Sequence, residues 1–265
     1  MIYGFHFSIG GKESYLTALR EAETLGVNAV QIFAKSPRAW RKKALPQALA
    51  ERFRAARELL GIQSLVIHAS YLVNLGAEGE LFEKSVHSLA DDLEKARLLG
   101  AEAVVVHPGS GELARIREGL FATTKLAPSP ARLLVENTVG GGKKRGATPE
   151  ELAELVRDTP FGLALDTSHA WAMGYRPVAF LDELERLGLL PRLALVHFND
   201  ARHERGSRRD VHASLGEGTM GEALTELLKD ARVRTLPFIM ETPKADDAKN
   251  LATFKAWLVA CGCRP

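Results

Sequence analysis

Short apolar runs recur along the chain, and most are followed by a side chain that can bind a metal ion. Seven runs of three or four mainly apolar residues lie at 3–5, 65–67, 104–106, 133–135, 163–165, 193–196 and 238–240. The residues directly after them are His6, His68, His107, Glu136, Asp166, His197 and Glu241. An eighth run, at 29–34, is followed by Lys35 instead. Apolar runs of this length are typical of buried strands.

Longer stretches with helical spacing lie between the runs, at 13–25, 46–60, 80–99, 111–125, 149–157, 178–187, 221–229 and 245–259. This alternation predicts strand–helix units with parallel strands, and eight units predict an α/β fold, the (β/α)8 TIM barrel. Such a barrel takes about 250 residues. The chain has 265, so we expect residues 1–265 to form one barrel domain. Active sites of these barrels lie at the carboxyl ends of the strands, where the polar residues above should meet.

The composition excludes several classes of protein. Hydrophobic residues make up 46% of the chain and charged residues 26%, which is ordinary for a globular protein. No apolar stretch reaches the roughly 18 residues needed to span a bilayer, and the first residues run directly into the first predicted strand, which leaves no room for a signal peptide. Cys261 and Cys263 are two residues apart, a poor disulfide geometry, so we expect reduced thiols and a cytoplasmic protein.

Five histidines and four carboxylates are the candidate metal ligands. They are His68, His107, His169, His197, His212, Glu136, Asp166, Asp210 and Glu241. A turn after Asp166 can bring His169 back beside it, and in an extended segment Asp210 and His212 face the same side. Four carboxylates gathered without cations would repel one another, so divalent ions are expected among them.

The number of ligands predicts the number of ions. A catalytic zinc ion takes about three protein ligands and keeps one position open, so nine ligands suit three ions, with one carboxylate bridging two of them. Mixed imidazole and carboxylate ligation favours zinc, with manganese or iron as alternatives. His6 follows a strand but stands outside the nine, and it is either a residue that supports the ligands or a hydrogen-bonded core residue.

Basic residues cluster after three of the predicted strands, although the net charge is only +2. These clusters are Lys35, Arg38, Arg41, Lys42 and Lys43; Lys143, Lys144 and Arg145; and Arg202, Arg205, Arg208 and Arg209. Three such clusters on one rim indicate a surface for a phosphate backbone.

Nine motifs, in order along the chain, resemble those of the endonuclease IV family, the zinc-dependent apurinic/apyrimidinic (AP) endonucleases of base-excision repair. They are QIFAKSPR (31–38), HASYLVNLG (68–76), HPGS (107–110), ENT (136–138), LDTSHA (165–170), VHFND (196–200), GSRRDVH (206–212), SLGEG (214–218) and ETP (241–243). Each motif is weak alone, but the ordered set is specific and covers almost the whole chain.

The resemblance implies a role for each candidate ligand. His68, His107 and Glu136 would hold one zinc ion, and His169, Asp210 and His212 another. Glu136 would also bridge to a third ion, which Asp166, His197 and Glu241 complete. Glu136 would thus be the catalytic residue that positions a metal-bridging hydroxide for attack on the phosphorus.

The resemblance also implies a substrate and a location. The substrate would be double-stranded DNA with abasic sites or blocked 3′ ends, cut on the 5′ side of the abasic site to leave a 3′-hydroxyl and a 5′-deoxyribose phosphate. By this resemblance Arg38, Tyr71 and Leu72 would enter the duplex, and the basic clusters add Lys35 and Arg208 as predicted DNA-contacting residues. We expect a monomer in a prokaryotic cytoplasm, associated with the nucleoid when it acts.

Two other functions stay open at this point. A metal-dependent sugar isomerase or epimerase on the same barrel would need only one or two ions. A protein that binds DNA damage without turnover would keep the fold but fail to incise abasic DNA. The metal count addresses the first alternative, and an incision assay addresses the second.

Overall fold

Strands and helices alternate along the chain in the computed structural model, which describes residues 1–10, 15–40 and 44–263. The strands are β1 (Tyr3–Phe7), β2 (Ala29–Phe33), β3 (Ser64–His68), β4 (Ala103–Val106), β5 (Arg132–Glu136), β6 (Gly162–Asp166), β7 (Leu193–His197), β8 (Asp200–Ala201), β9 (His212–Ala213) and β10 (Phe238–Met240). The helices are α1 (Tyr15–Leu25), α2 (Gln47–Leu59), α3 (Gly79–Leu99), α4 (Leu113–Leu126), α5 (Pro149–Val156), α6 (Thr167–Ala172), α7 (Pro177–Arg186), α8 (Glu222–Lys229) and α9 (Asp247–Ala260).

Eight parallel strands close into a barrel in the order β1-β10-β7-β6-β5-β4-β3-β2. This arrangement confirms the predicted TIM barrel, and all eight apolar runs are strands. The predicted helical stretches match α1 to α5 and α7 to α9, with their described ends within two residues. The predicted start of the first helix, at residue 13, lies outside the described residues. Among the helices of the described ranges, none is long and apolar enough to cross a membrane.

Two small elements were not expected from the apolar pattern. Helix α6 has only six residues, too few for a repeated apolar face, and it begins where the side chain of Asp166 accepts a hydrogen bond from His169 N at 2.8 Å. Strands β8 and β9 pair antiparallel over two residues each, with Ala201 opposite His212. Both elements lie at the carboxyl end of the barrel and place histidines there.

The barrel interior holds a small apolar layer. It consists of Ala29, Val66, Ala103, Val105, Leu134, Ala164, Leu195 and Ile239, with Gly4 of β1 opposite Ala29 and Ile239. Side chains two positions apart in a strand point to the same side. The next inward positions toward the carboxyl end are therefore His6, Gln31, His68, His107, Glu136, Asp166, His197 and Glu241. Strict alternation in eight strands thus builds a polar layer directly on top of an apolar one.

We predict that Gly4→Ala lowers the free energy of unfolding by about 3 kcal/mol or more. A Cβ atom at Gly4 would lie 1.7 Å from the backbone oxygen of Ala29, so β1 and β2 would have to separate. Gly10→Ala is the control, because nothing lies within 4 Å of its added Cβ. Denaturant titration of both variants measures the difference; equal stability of the two would contradict the close approach of β1 to β2.

Candidate metal centre

The polar layer at the carboxyl end of the barrel brings eight of the nine predicted ligands into three groups within the described residues. The groups are His68, His107 and Glu136; Asp166, His169 and His212; and Glu136, Asp166, His197 and Glu241. Within each group, the candidate ligand atoms all lie within 4.8 Å of one another. The ninth residue, Asp210, lies beside the second group, with Oδ1 3.2 Å from His169 Nε2 and 3.7 Å from His212 Nε2.

Glu136 connects two of the groups through its two carboxylate oxygens. Oε2 lies 3.0 Å from His107 Nε2 and 3.3 Å from His68 Nε2. Oε1 lies 2.9 Å from His197 Nδ1, on the other side. The side chain is fully buried at the end of β5, so each oxygen is directed to a different group of ligands. This is the geometry that a bridging carboxylate requires.

In three of the histidines, the ring nitrogen Nδ1 contacts a backbone carbonyl. His68 Nδ1 lies 2.8 Å from Ala69 O, His169 Nδ1 lies 2.8 Å from Asn137 O, and His212 Nδ1 lies 3.1 Å from Glu241 O. A carbonyl only accepts, so in each case Nδ1 carries a hydrogen, and Nε2 is the nitrogen that a metal ion can bind in place of a proton. The buried Nε2 of His212 has no hydrogen-bond partner among the described residues, which fits a ligand atom.

Three buried amide side chains that were not predicted as site residues hold the ligands. Asn137 exchanges two hydrogen bonds with the backbone of Asp166, at 2.6 and 3.0 Å. Asn199 donates to Asp166 Oδ2 at 2.7 Å and accepts from Glu241 N at 2.7 Å. Gln31, the inward residue of β2, contacts His197 and Glu241. The signal available for all three is a polar amide inside an apolar run or within two residues of a ligand.

His6, for which two interpretations were open, contacts this network. Its Nδ1 lies 2.9 Å from Gln31 Nε2 and 3.5 Å from Glu241 Oε1, and it belongs to none of the three ligand groups. His6 therefore supports the residues around it.

The carboxylates and the histidines change each other's protonation. Burial raises the pKa of Glu136, but the charges of His197 and His107 outweigh it and hold that pKa well below its usual range. Burial lowers the pKa of His197, but Glu241 and Glu136 outweigh it and raise the pKa to about 9. In the same way, Asp166 and Asp210 outweigh burial and raise the pKa of His169 well above its ordinary value. The centre therefore attracts positive charge, which protons or metal ions can supply.

Two of the three predicted DNA-inserting residues, Tyr71 and Leu72, line a cavity beside the centre, and Arg38 lies on the adjoining loop. Arg38 and Tyr71 are exposed and Leu72 is half-buried. The Ser70 hydroxyl donates to Pro37 O at 2.8 Å and accepts from Leu72 N at 3.2 Å, which joins the two loops that carry these residues. The cavity has a volume of about 310 Å³. Its lining includes Tyr71, Leu72, His107, Ser110, Lys144 and Asp210.

Lys35, predicted to contact DNA, lies away from this opening. Its ammonium group donates to Ser88 O at 2.7 Å and to Asp92 Oδ1 at 2.5 Å, both on α3, and the side chain is only 4% exposed. The position after the eighth run therefore faces outward into the helix layer, where a buried cation neutralises the buried Asp92 carboxylate. The prediction that Lys35 contacts DNA is wrong, and the inward polar residue of β2 is Gln31.

The basic residues of the predicted clusters also differ in whether they are engaged within the protein or exposed without an ion pair. Arg145 is engaged within its own loop, because it donates to Gly111 O at 2.8 Å and to Glu151 Oε1 at 3.1 Å. Within the described ranges, the remaining exposed cations of the clusters that form no ion pair are Arg38, Lys143, Lys144, Arg202, Arg205, Arg208 and Arg209. Arg41, Lys42 and Lys43 lie outside the described residues. The predicted contact of Arg208 with DNA stays a prediction.

Comparisons with known proteins point to one family. A family model described as a xylose isomerase-like TIM barrel matches residues 19–260. Endonuclease 4 of Thermus thermophilus is 55% identical over 264 residues, which cover 97% of this chain and 98% of the relative. A probable endonuclease 4 of Chloroflexus aurantiacus is 37% identical, with 96% of this chain and 97% of the relative covered.

Solved structures agree. The crystal structure of endonuclease IV from Thermus thermophilus matches with a TM-score of 0.94 and 55% identity, over 98% of this chain and all of that one. A D-tagatose 3-epimerase-like protein matches with a TM-score of 0.78 over 99% of this chain and 98% of that one, but at 21% identity it shows the fold alone.

We predict that binding of divalent ions to the metal-free protein releases protons at pH 7, at least one each from His197 and His169. The elevated pKa of His197, about 9, and that of His169 mean that both imidazoles are protonated at this pH, and an ion must displace those protons. Affinity for the ions should consequently rise as the pH is raised toward 9.

Calorimetry of zinc binding in buffers of different ionisation enthalpy counts the protons. His87→Gln, on the exposed face of α3, is the control and should release the same number as the unchanged chain. Zinc binding without proton release, at an affinity independent of pH from 6 to 8, would contradict the elevated histidine pKa values.

Proposed function

The chain belongs to the endonuclease IV family of AP endonucleases, hydrolases of DNA repair, and we propose that it cuts double-stranded DNA on the 5′ side of abasic sites. The proposed products are a 3′-hydroxyl and a 5′-deoxyribose phosphate, and the same centre would remove phosphate-bearing groups from blocked 3′ ends. One observation carries the proposal: the carboxylate of Glu136 faces two groups of candidate metal ligands, beside a cavity lined by His107, Asp210, the exposed Tyr71 and Lys144.

We propose three divalent ions, mainly zinc, at the three groups of ligands. His68, His107 and Glu136 would hold the first, and Glu136, Asp166, His197 and Glu241 the second. His169 and His212 would hold the third together with Asp210, whose Oδ1 lies near both histidines. Bound there, such ions supply Lewis-acid chemistry, since they lower the pKa of water and neutralise charge on a phosphate group. The anchoring of His68, His169 and His212 through Nδ1, which leaves Nε2 directed at the ligand groups, supports this assignment.

The protein's own residues determine where a phosphate can approach. Glu136, Asp166 and His197 are fully buried at the floor, whereas the Asp210 side chain is 50% exposed and the His107 side chain is 30% exposed. His107 and Asp210 also line the cavity of about 310 Å³, so a sugar phosphate in the cavity would approach the centre on this side. Lys144 lines the same cavity and can neutralise phosphate charge.

A phosphodiester in a stacked duplex cannot reach a centre at the bottom of a cavity, so the abasic nucleotide must leave the stack. Bulky or cationic side chains that enter between base steps commonly stabilise such a distortion. Arg38, Tyr71 and Leu72 are suited to this role because Tyr71 and Leu72 line the cavity and Arg38 is exposed on the adjoining loop. The Ser70 hydroxyl contacts both loops that carry them, so the residues would enter the DNA as one unit.

We predict that Glu136→Gln lowers the rate of incision at an abasic site by several orders of magnitude. The amide keeps the shape but removes the charge that holds two ions together. Binding of abasic duplex DNA should fall far less, because the rim residues are unchanged. Single-turnover incision and equilibrium DNA binding measure the two effects. Glu154→Gln, on the exposed face of α5, is the matched control. Cleavage by the Glu136 variant within a few-fold of the unchanged enzyme would exclude a bridging carboxylate.

We predict that the triple variant Arg38→Ala, Tyr71→Ala, Leu72→Ala loses damage-specific binding and incision in duplex DNA, at a cost of a few kcal/mol that is comparable to the unstacking energy. Removal of a 3′-terminal phosphate needs less distortion and should suffer less. Metal content and folding should be unchanged, because none of the three residues is a ligand.

Incision of an abasic duplex and release of phosphate from a 3′-phosphorylated end compare the two substrates in one preparation. Leu59→Ala, an exposed leucine on α2, is the control for loss of a surface side chain. Equal losses on both substrates, or no loss on the duplex, would reject these residues as the inserting group.

A further inference from the structure

Gln31 completes the polar layer of the barrel, in which the other seven strands contribute a histidine or a carboxylate. The residue is fully buried on β2. Its side-chain amide lies between three residues: Nε2 is 2.6 Å from Glu241 Oε1 and 2.9 Å from His6 Nδ1, and Oε1 is 2.8 Å from His197 Nε2. All the hydrogen-bonding groups of the amide are therefore directed at the centre.

The partner Glu241 determines which way the amide is turned. An ionised carboxylate can only accept hydrogen bonds, so the atom of Gln31 that faces Glu241 must be the NH2 group. The amide oxygen of Gln31 then faces His197 Nε2. Because that oxygen can only accept, His197 Nε2 must carry a hydrogen. The position of one carboxylate thus fixes the tautomer of a histidine on another strand.

The consequence for His197 is that Nδ1 is the nitrogen available to a metal ion. This atom lies 2.9 Å from Glu136 Oε1 and 3.4 Å from Glu241 Oε2. His68, His169 and His212 are arranged in the opposite way, since their Nδ1 atoms contact backbone carbonyls. Among the described histidines of this centre that contact an amide or carbonyl oxygen, His197 alone is held through Nε2 by a side chain.

Gln31 also selects the oxygen of Glu241 that can bind an ion. Oε1 is engaged by the amide of Gln31, so Oε2 remains as the oxygen that faces His197 Nδ1. The second hydrogen of the NH2 group is donated to His6 Nδ1, which keeps the amide from rotating. One side chain therefore orients two ligands of the group formed by Glu136, Asp166, His197 and Glu241.

We propose that Gln31 is a positioning residue for the second metal ion: it holds His197 with the hydrogen on Nε2 and keeps Glu241 Oε2 turned toward the ion. The inference rests on the proposed function, because it takes a divalent ion to be bound among Glu136, Asp166, His197 and Glu241. Residues that orient a metal ligand in this way change metal affinity by about 10- to 100-fold when they are removed.

The tautomer of His197 in the zinc-loaded, unchanged enzyme is the most direct test. Long-range 1H–15N correlation spectra of the imidazole rings distinguish a nitrogen that carries hydrogen from one bound to zinc, and the His197→Asn spectrum assigns the signal. We expect a hydrogen on Nε2 and zinc on Nδ1. The opposite pattern would overturn the role of Gln31. If no ring of the unchanged enzyme shows zinc coordination, the proposed metal centre fails, and the inference fails with it.

The variant Gln31→Met tests the consequence for affinity, because methionine keeps the length of the side chain but removes both hydrogen-bonding groups. Competition with a chelator should show one ion bound about 10- to 100-fold more weakly, with the other two unchanged. Gln63→Met, at an exposed position before β3, is the matched control. Zinc affinities equal to those of the control at every site would overturn the inference.

Discussion

Four carboxylates meet at one end of the barrel. Keeping their negative charges close together costs free energy, and the rest of the site is arranged to offset that cost. Glu136 and Asp166 are fully buried, in an environment where an unpaired charge is strongly disfavoured. Five histidines surround the carboxylates, and they pair with them so closely that the pKa of His197 rises to about 9. Because cations are needed at this place in any case, the same geometry that collects the charges also makes a site for divalent ions.

The ligands keep their orientation because buried amide side chains and backbone carbonyls beside them hold them by hydrogen bonds. Asn137 makes two hydrogen bonds to the backbone of Asp166, and Asn199 joins the side chain of Asp166 to the backbone of Glu241. Backbone carbonyls of Ala69, Asn137 and Glu241 each hold one histidine nitrogen. The centre is consequently part of the hydrogen-bond network that connects the strands at this end of the barrel. A metal site of this kind is rigid before its ions bind, which favours a fixed position for a reacting phosphate.

The barrel and most of the site could be predicted because strand length and side-chain alternation are local properties. Runs such as 133–135 show directly that the next residue, Glu136, stands at the end of a strand. The error at Lys35 arose from the same rule: the run at 29–34 continues past the end of β2, so counting to its end selected an outward residue. Counting two positions from Ala29, an interior residue, gives Gln31 instead. Knowledge of which residues face the interior was needed, and this depends on strand pairing.

The placement of His169, Asp210 and His212 depended on elements too short for an apolar period. Helix α6 forms because Asp166 caps it, and β9 pairs with β8 over only two residues. These residues come together only in the tertiary structure, through contacts such as that of His212 Nδ1 with Glu241 O. Local spacing, a turn after Asp166 and the alternation of Asp210 and His212, supplied these residues as candidates, and the resemblance to family motifs assigned them to one ion.

The central claim, that three divalent ions at one rim of the barrel carry the activity, is tested most directly by counting them in active protein. Elemental analysis of protein purified without chelators should be combined with an assay that cuts an abasic oligonucleotide, fraction by fraction. The account predicts three ions per chain, mostly zinc, in the fractions with full activity. A reproducible content of one ion or none in fully active protein would contradict it.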